Sequence, residues 1–165
     1  MRRWRALITS VGTALTKAYK VLDGPIGDKL LQDEAVAALR ERLLPLALVA
    51  TPNIPEAEVL VGRTLTTWDD LREAAREIHG WGARNVVIKG GHREDHHVAL
   101  DLLYDGRDFR EYATGWVDTQ STHGTGCTFA SAIAATLAKG DTVQNSVAAA
   151  KAYVTKALQN AYPVG

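Results

Sequence analysis

Apolar residues occur in this chain in two patterns: short uninterrupted runs, and stretches in which they recur every three or four positions. Leu46-Ala47-Leu48-Val49-Ala50 and Asn85-Val86-Val87-Ile88-Lys89 are runs of the first kind, too short for helices and apolar enough to be strands buried on both faces of a parallel sheet. Helical spacing predicts a helix over 33–44, with Val36, Leu39 and Leu43 inward and its end at Pro45. A second helix is predicted over 67–79, with Trp68, Leu71, Ala75 and Ile78 inward. Thr67 and Asp70 have the separation of a capping box there, and Gly80 or Gly82 can close the helix. Residues 98–104 and 108–112 read as a hairpin joined at Asp105-Gly106 by a type I′ turn, an antiparallel addition to the sheet. Helices follow over 129–138, stopped at Lys139-Gly140, and over 142–159, with Val143, Val147, Ala150 and Val154 on one side. Strands alternating with helices make this an α/β protein. No internal repeat or low-complexity linker is visible.

Composition narrows the class. A chain of 165 residues with 46% hydrophobic and 23% charged positions can bury one core and is not disordered. Its formal net charge of zero gives no electrostatic reason to expect nucleic acid or a membrane surface as a partner. No apolar run approaches the ~20 residues that span a bilayer. One cysteine excludes an intrachain disulfide and fits a reducing cytoplasm. Arg2, Arg3, Arg5, Lys17 and Lys20 precede the first acid, Asp23, but Thr9, Ser10, Gly12 and Thr13 interrupt the apolar stretch that a signal peptide needs. Residues 1–20 are therefore expected to be an atypical N-terminal segment, a strand or helix covering part of a sheet edge.

The chemistry concentrates at three places. In Thr122-His123-Gly124-Thr125-Gly126-Cys127-Thr128, two glycines run directly into a helix of small residues, so backbone N–H groups and the positive end of the helix dipole can face an anion. Cys127 stands at that helix start, a position that stabilises a thiolate; the bland alternative is a loop with a buried, inert cysteine. Asn53 and Glu56 follow the strand ending at Ala50 and offer an amide oxygen and a carboxylate to a hard cation, or else simply cap the next helix. Lys89 ends the second strand just before Gly90-Gly91-His92, where it suits a phosphate or is an ordinary edge lysine. His92, His96 and His97 lie in a strongly polar loop without tetrahedral-site spacing, which reads as solvated rather than metal-binding. His123 with Cys127 raises a cysteine hydrolase, for which no orienting Asn or Asp is evident.

Taken in order, Thr51-Pro52-Asn53-x-Pro55-Glu56-Ala57-Glu58, Lys89-Gly90-Gly91-His92 and Thr122 to Thr128 resemble the ribokinase-like superfamily, and within it the hydroxymethylpyrimidine/phosphomethylpyrimidine kinases of thiamine biosynthesis. Most of that superfamily has Asp where this chain has Cys127; the cysteine points to the pyrimidine kinase and pyridoxal kinase branch. The resemblance implies a ribokinase-like parallel sheet flanked by helices, ATP and Mg²⁺ as cofactors, and a small pyrimidine alcohol as substrate. It implies Cys127 as the base, an anion hole from the amides of Gly124, Thr125, Gly126 and Cys127, and Lys89 on the phosphates. Gly91, His92 and Thr122 would join Gly124 and Gly126 around the nucleotide, and Asn53, Glu56 and Asp23 would stand near the metal, with Asp23, at the end of Lys20-Val21-Leu22-Asp23, similar to the family's acidic residue after a strand, which places a strand near Val21. The family's Asp-Pro-Val-Met stretch is here Asp23-Gly24-Pro25-Ile26, shortened, and no Ser-Asp-Gly-Gly-Gly-type loop occurs in residues 1–20. The fold is thus expected to be truncated on its N-terminal side, with 21–165 a partial kinase domain and homodimerisation through the exposed sheet edge. Pyridoxal kinase, or a non-catalytic phosphate-binding remnant, is the alternative.

Overall fold

The computed structural model describes residues 7–9, 34–92, 98–118 and 124–161. Five strands form one mixed sheet in sequence order: β1 (Leu7–Thr9), β2 (Ala47–Ala50), β3 (Val86–His92), β4 (Val98–Tyr104) and β5 (Phe109–Gly115). β1, β2 and β3 are parallel; β4 and β5 are antiparallel additions. Four full helices cover the sheet: α1 (Ile54–Val61), α2 (Trp68–Gly80), α3 (Thr125–Ala138) and α4 (Val143–Gln159). The strand expected near Val21 lies outside the described residues. The parallel neighbour of β2 is instead β1, with Ile8 opposite Val49 and Thr9 opposite Ala50.

Side-chain alternation along β3 divides the core in two. Val86 and Ile88 face one way, joining Ala50 and Leu102 against Ala57 and Leu60 of α1 and Leu71, Ala75 and Ile78 of α2. Val87 faces the other way, with Val49 and Leu103 against Phe129 and Ile133 of α3 and Val147 and Ala150 of α4. Because both faces are covered, the central strands are apolar at nearly every position, as their sequence requires.

Two elements differ from their sequence reading for local reasons. Residues 34–38 are α-helical, but Leu39–Leu43 form a π-helix and Leu44–Leu46 a 3₁₀ turn with Pro45 inside it. The Leu44 N–H bonds Leu39 O, five residues back, so the helix gains a residue per turn and Leu44, rather than Leu43, becomes the fully buried position. The hairpin is closed by four residues, not by a two-residue type I′ turn. Tyr104 pairs with Phe109, and the Asp105 carboxylate accepts the N–H groups of Arg107 and Asp108 at 3.0 and 2.9 Å. The side chain replaces the short backbone turn with an Asx-type one.

α2 follows its sequence closely. The Thr67 hydroxyl accepts the Asp70 N–H at 3.1 Å, and the Asp70 carboxylate accepts the Thr67 N–H at 2.6 Å. That box, with the Thr66 N–H bonded to the same carboxylate, holds the Asp70 pKa down to about 2, with the Thr67 amide the largest cause. A carboxyl depressed below its ordinary 3.8 adds stability at higher pH, and the contribution disappears as pH falls through about 2. Asp70→Asn should therefore be less stable than the wild type at neutral pH, and the difference should close between about pH 4 and pH 2. Urea unfolding across that range measures it; a gap independent of pH would remove Asp70 from the acid-sensitive set.

Candidate active site

The parallel strands end on one edge of the sheet, and the polar residues singled out in the sequence gather there. β2 runs on through Thr51 and Pro52 to Asn53, whose backbone forms a bridge with Lys89, while the Lys89 N–H donates to Pro52 O at 2.8 Å. These bonds fix the middle of β3 against the start of α1; the strand does not end at Lys89, as the sequence suggested, but runs on through Gly90 and Gly91 to His92, past an irregular register with β4. Lys89 is two residues past Val87 and so shares the α3–α4 face of the sheet.

On that face Lys89 meets the start of α3. Its Nζ lies 3.0 Å from the point that a Cβ on Gly126 would occupy, so the ammonium stands against the helix N-terminus in space that only glycine leaves open. Gly124 is the N-cap, with φ +82°, and has no side chain with which to cap the helix; a helical bond runs from the Thr128 N–H to Gly124 O at 2.9 Å. A lysine charge, a helix dipole and helix-terminal amides converge on one spot, a combination suited to a phosphate group. Cys127 is exposed in the first turn and is not in a disulfide. It is therefore not the buried cysteine that the sequence also allowed. Thr125 and Gly126 are half-buried beside it.

Asn53 and Glu56 form a reciprocal capping box. Asn53 Oδ1 accepts the Glu56 N–H at 2.8 Å, Glu56 Oε2 accepts the Asn53 N–H at 3.0 Å, and Asn53 Nδ2 donates to Glu56 Oε1 at 3.0 Å. The capping alternative is therefore present. Each carboxylate oxygen keeps a lone pair, which suits contact with a hydrated Mg²⁺ better than direct coordination. Among the described residues no group of three or more His, Cys, Asp or Glu side chains converges on a point. Asp23, Thr122 and His123 lie outside the described residues, as does the side chain of His92; Gly91 is part of β3. The histidines at 96 and 97 fall there too.

Sequence reasoning missed three buried polar residues on this face. Asp101 of β4 is the cross-strand partner of Lys89 and forms an ion pair with Lys151 of α4, Oδ2 to Nζ 2.9 Å. Burial pushes the Asp101 carboxyl up, against the pull of Lys151, the Gly90 N–H and Lys89. The Thr51 hydroxyl is fully buried, with no hydrogen-bond partner among the described residues. Lys151 falls at i+4 from Val147 and Asp101 two positions before Leu103, so each charge sits in an inward register. Opposite charges in two inward registers were the available signal.

An α/β sheet covered by helices on both faces, with Lys89 set against the start of α3, suits the ribokinase-like fold class, and comparison with known proteins shows that class. The family model described as phosphomethylpyrimidine kinase matches residues 20–165. The chain belongs to the phosphomethylpyrimidine kinase family. It is 45% identical over 140 residues to the hydroxymethylpyrimidine/phosphomethylpyrimidine kinase of Bacillus subtilis, covering 84% of this chain and 51% of that protein. A pyridoxine kinase of the same organism is 46% identical over 138 residues, 83% of this chain and 51% of the relative. Among solved structures, an ADP complex of Bacillus subtilis pyridoxal kinase superposes with a TM-score of 0.79 at 38% identity, covering 97% of this chain and 65% of that one. The phosphomethylpyrimidine kinase of Clostridium difficile gives a TM-score of 0.62 at 35% identity over 76% of this chain and 49% of its own. The chain thus spans about half the length of the curated kinases it matches.

Gly126→Ala tests the cradle. The added methyl would stand 3.0 Å from Lys89 Nζ, and the flexible ammonium would have to move aside by a few tenths of an ångström. The expected result is an unchanged melting temperature with about three- to tenfold weaker binding of tripolyphosphate, measured by calorimetry. Unchanged binding would show that the anion does not lie between Lys89 and Gly126.

Proposed function

We propose that this chain carries the phosphate-handling part of an ATP- and Mg²⁺-dependent kinase that phosphorylates the primary alcohol of hydroxymethylpyrimidine or its monophosphate in thiamine biosynthesis. The approach of Lys89 Nζ to Gly126 is the observation that carries it. In this reading Lys89 neutralises phosphate charge, and the amides from Gly124 through Thr125 and Gly126 to Cys127 receive the transferred phosphoryl group. Gly91, His92 and Thr122 border the nucleotide. Cys127, exposed beside the anion site, takes the proton of the alcohol as its oxygen bonds to the γ-phosphorus and the bond to the β-phosphate oxygen breaks. Asn53 and Glu56 orient water around Mg²⁺, with Asp23 as their partner. A reducing cytoplasm is the compartment consistent with the single exposed thiol.

Phosphorylation of pyridoxal is the second reading, supported by the identity to the Bacillus subtilis pyridoxine kinase. The two differ in the alcohol, not in the phosphate chemistry. Coupled ATP turnover with hydroxymethylpyrimidine and with pyridoxal separates them. The sheet edge beside β2 carries β1, and a second copy of this chain, added beyond β1, is the proposed homodimer.

Lys89→Ala should weaken binding of a non-hydrolysable ATP analogue roughly ten- to a hundredfold, because a charge-assisted phosphate contact is lost. Equal affinity would remove Lys89 from the site. Cys127→Ser should leave that binding nearly unchanged and lower phosphoryl transfer about a hundredfold or more, since serine does not ionise near neutral pH. A serine variant with wild-type turnover would leave another group as the base.

A further inference from the structure

The proposed chemistry makes no use of the two oppositely charged side chains buried beneath the cradle. Asp101 is 4% exposed and Lys151 8% exposed. Such a pair is poor value as a source of stability, because the cost of removing both charges from water offsets their attraction, and apolar replacements are often as stable. Its geometry points to another role. Asp101 engages Lys151 through Oδ2 and accepts the Gly90 N–H through Oδ1 at 3.2 Å. Gly90 lies where the β3–β4 register is irregular, between Lys89 and His92, and a Cβ there would meet the Leu100 carbonyl oxygen. The strand therefore runs close against β4 at this point, with its amide held by a side chain. The residue immediately before that clamp is Lys89.

We propose that Asp101 and Lys151 are positioning residues for the phosphate cradle: anchored by Lys151, the Asp101 carboxylate clamps the Gly90 amide and so fixes the direction in which Lys89 leaves β3 toward Gly126. The inference rests on the reading of Lys89 as a phosphate ligand. Neither residue touches the phosphate; both act through the backbone of β3.

Two double variants test it, each removing both charges so that none is left buried and unpaired. Asp101→Asn with Lys151→Met retains an amide oxygen for the Gly90 N–H, whereas Asp101→Leu with Lys151→Met does not. The expected result is that the asparagine variant keeps the Gly90 amide protected from hydrogen exchange and binds the ATP analogue AMP-PCP within about threefold of wild type. The leucine variant should lose that protection and bind about tenfold more weakly. Adding Lys89→Ala to the leucine variant should then cost less than it does in the wild type, because the two changes act on one contact. Equal affinities in the two double variants, or full additivity with Lys89→Ala, would overturn the proposal. If the leucine variant does not fold, Lys151→Met alone decides: faster exchange at Gly90 with weaker AMP-PCP binding supports the anchor, and no change in either overturns it. Wild-type protein that does not bind AMP-PCP would refute the kinase reading. The exchange at Gly90 would still decide whether Asp101 clamps that amide.

Discussion

How closely the Lys89 side chain of β3 can approach the start of α3 decides the arrangement of this site. Lys89 Nζ sits 3.0 Å from where a side chain on Gly126 would begin, and Gly90 runs so near β4 that no side chain fits. Both approaches use backbone where most proteins would have side chains. The result is a lysine charge placed against helix-terminal amides at short range, where electrostatic attraction for an anion is greatest. Packing beneath supports the arrangement: Val87 and Leu103 hold the sheet against Phe129 and Ile133 of α3 and Val147 of α4.

The same face of the sheet changes character along its length. It is apolar at Val49, Val87 and Leu103 and becomes polar toward the strand ends at Thr51, Lys89 and Asp101. Buried polar groups are costly unless partnered, so this band constrains its surroundings far more than an apolar layer would. Asp101 finds two partners, in Lys151 and the Gly90 amide. Asn53 and Glu56 satisfy one another at the adjoining helix start, and the Lys89 amide is bonded to Pro52. The parallel strands and the antiparallel hairpin therefore meet at a joint fixed mainly by polar contacts.

What could be read in the sequence was what depends on neighbours close along the chain. The Thr67–Asp70 box, the inward residues of α2 and the two buried strands follow from spacing alone. Lys89 and the glycines at the start of α3 could be singled out because residue type and position point the same way, and the fold brings Lys89 and Gly126 together. The rest depended on competition or distance. Leu44 displaced Leu43 because a π-helix changed the phase, and the Asp105 carboxylate captured amides that a tighter turn would have left to the backbone. β1 lies in the N-terminal segment expected to cover a sheet edge as a strand or helix, and it does pair with the edge of β2; its position and type could not be read more finely, because the apolar stretch is so short and is interrupted by polar residues. Asp101 and Lys151 lie far apart in sequence, and only the tertiary fold shows that their charges cancel.

The distances along the chain also set an entropic order of assembly. Gly90 and Asp101 are 11 positions apart, so the β3–β4 pairing that carries the clamp closes a short loop. Pairing β1 with β2 joins Leu7 to Ala47 across a much longer stretch, for only three residues of strand. Closing a long loop for few contacts is the least rewarded step in building a sheet. Loop-closure entropy therefore favours pairing on the antiparallel side, which holds Lys89 in place, over pairing at the parallel edge.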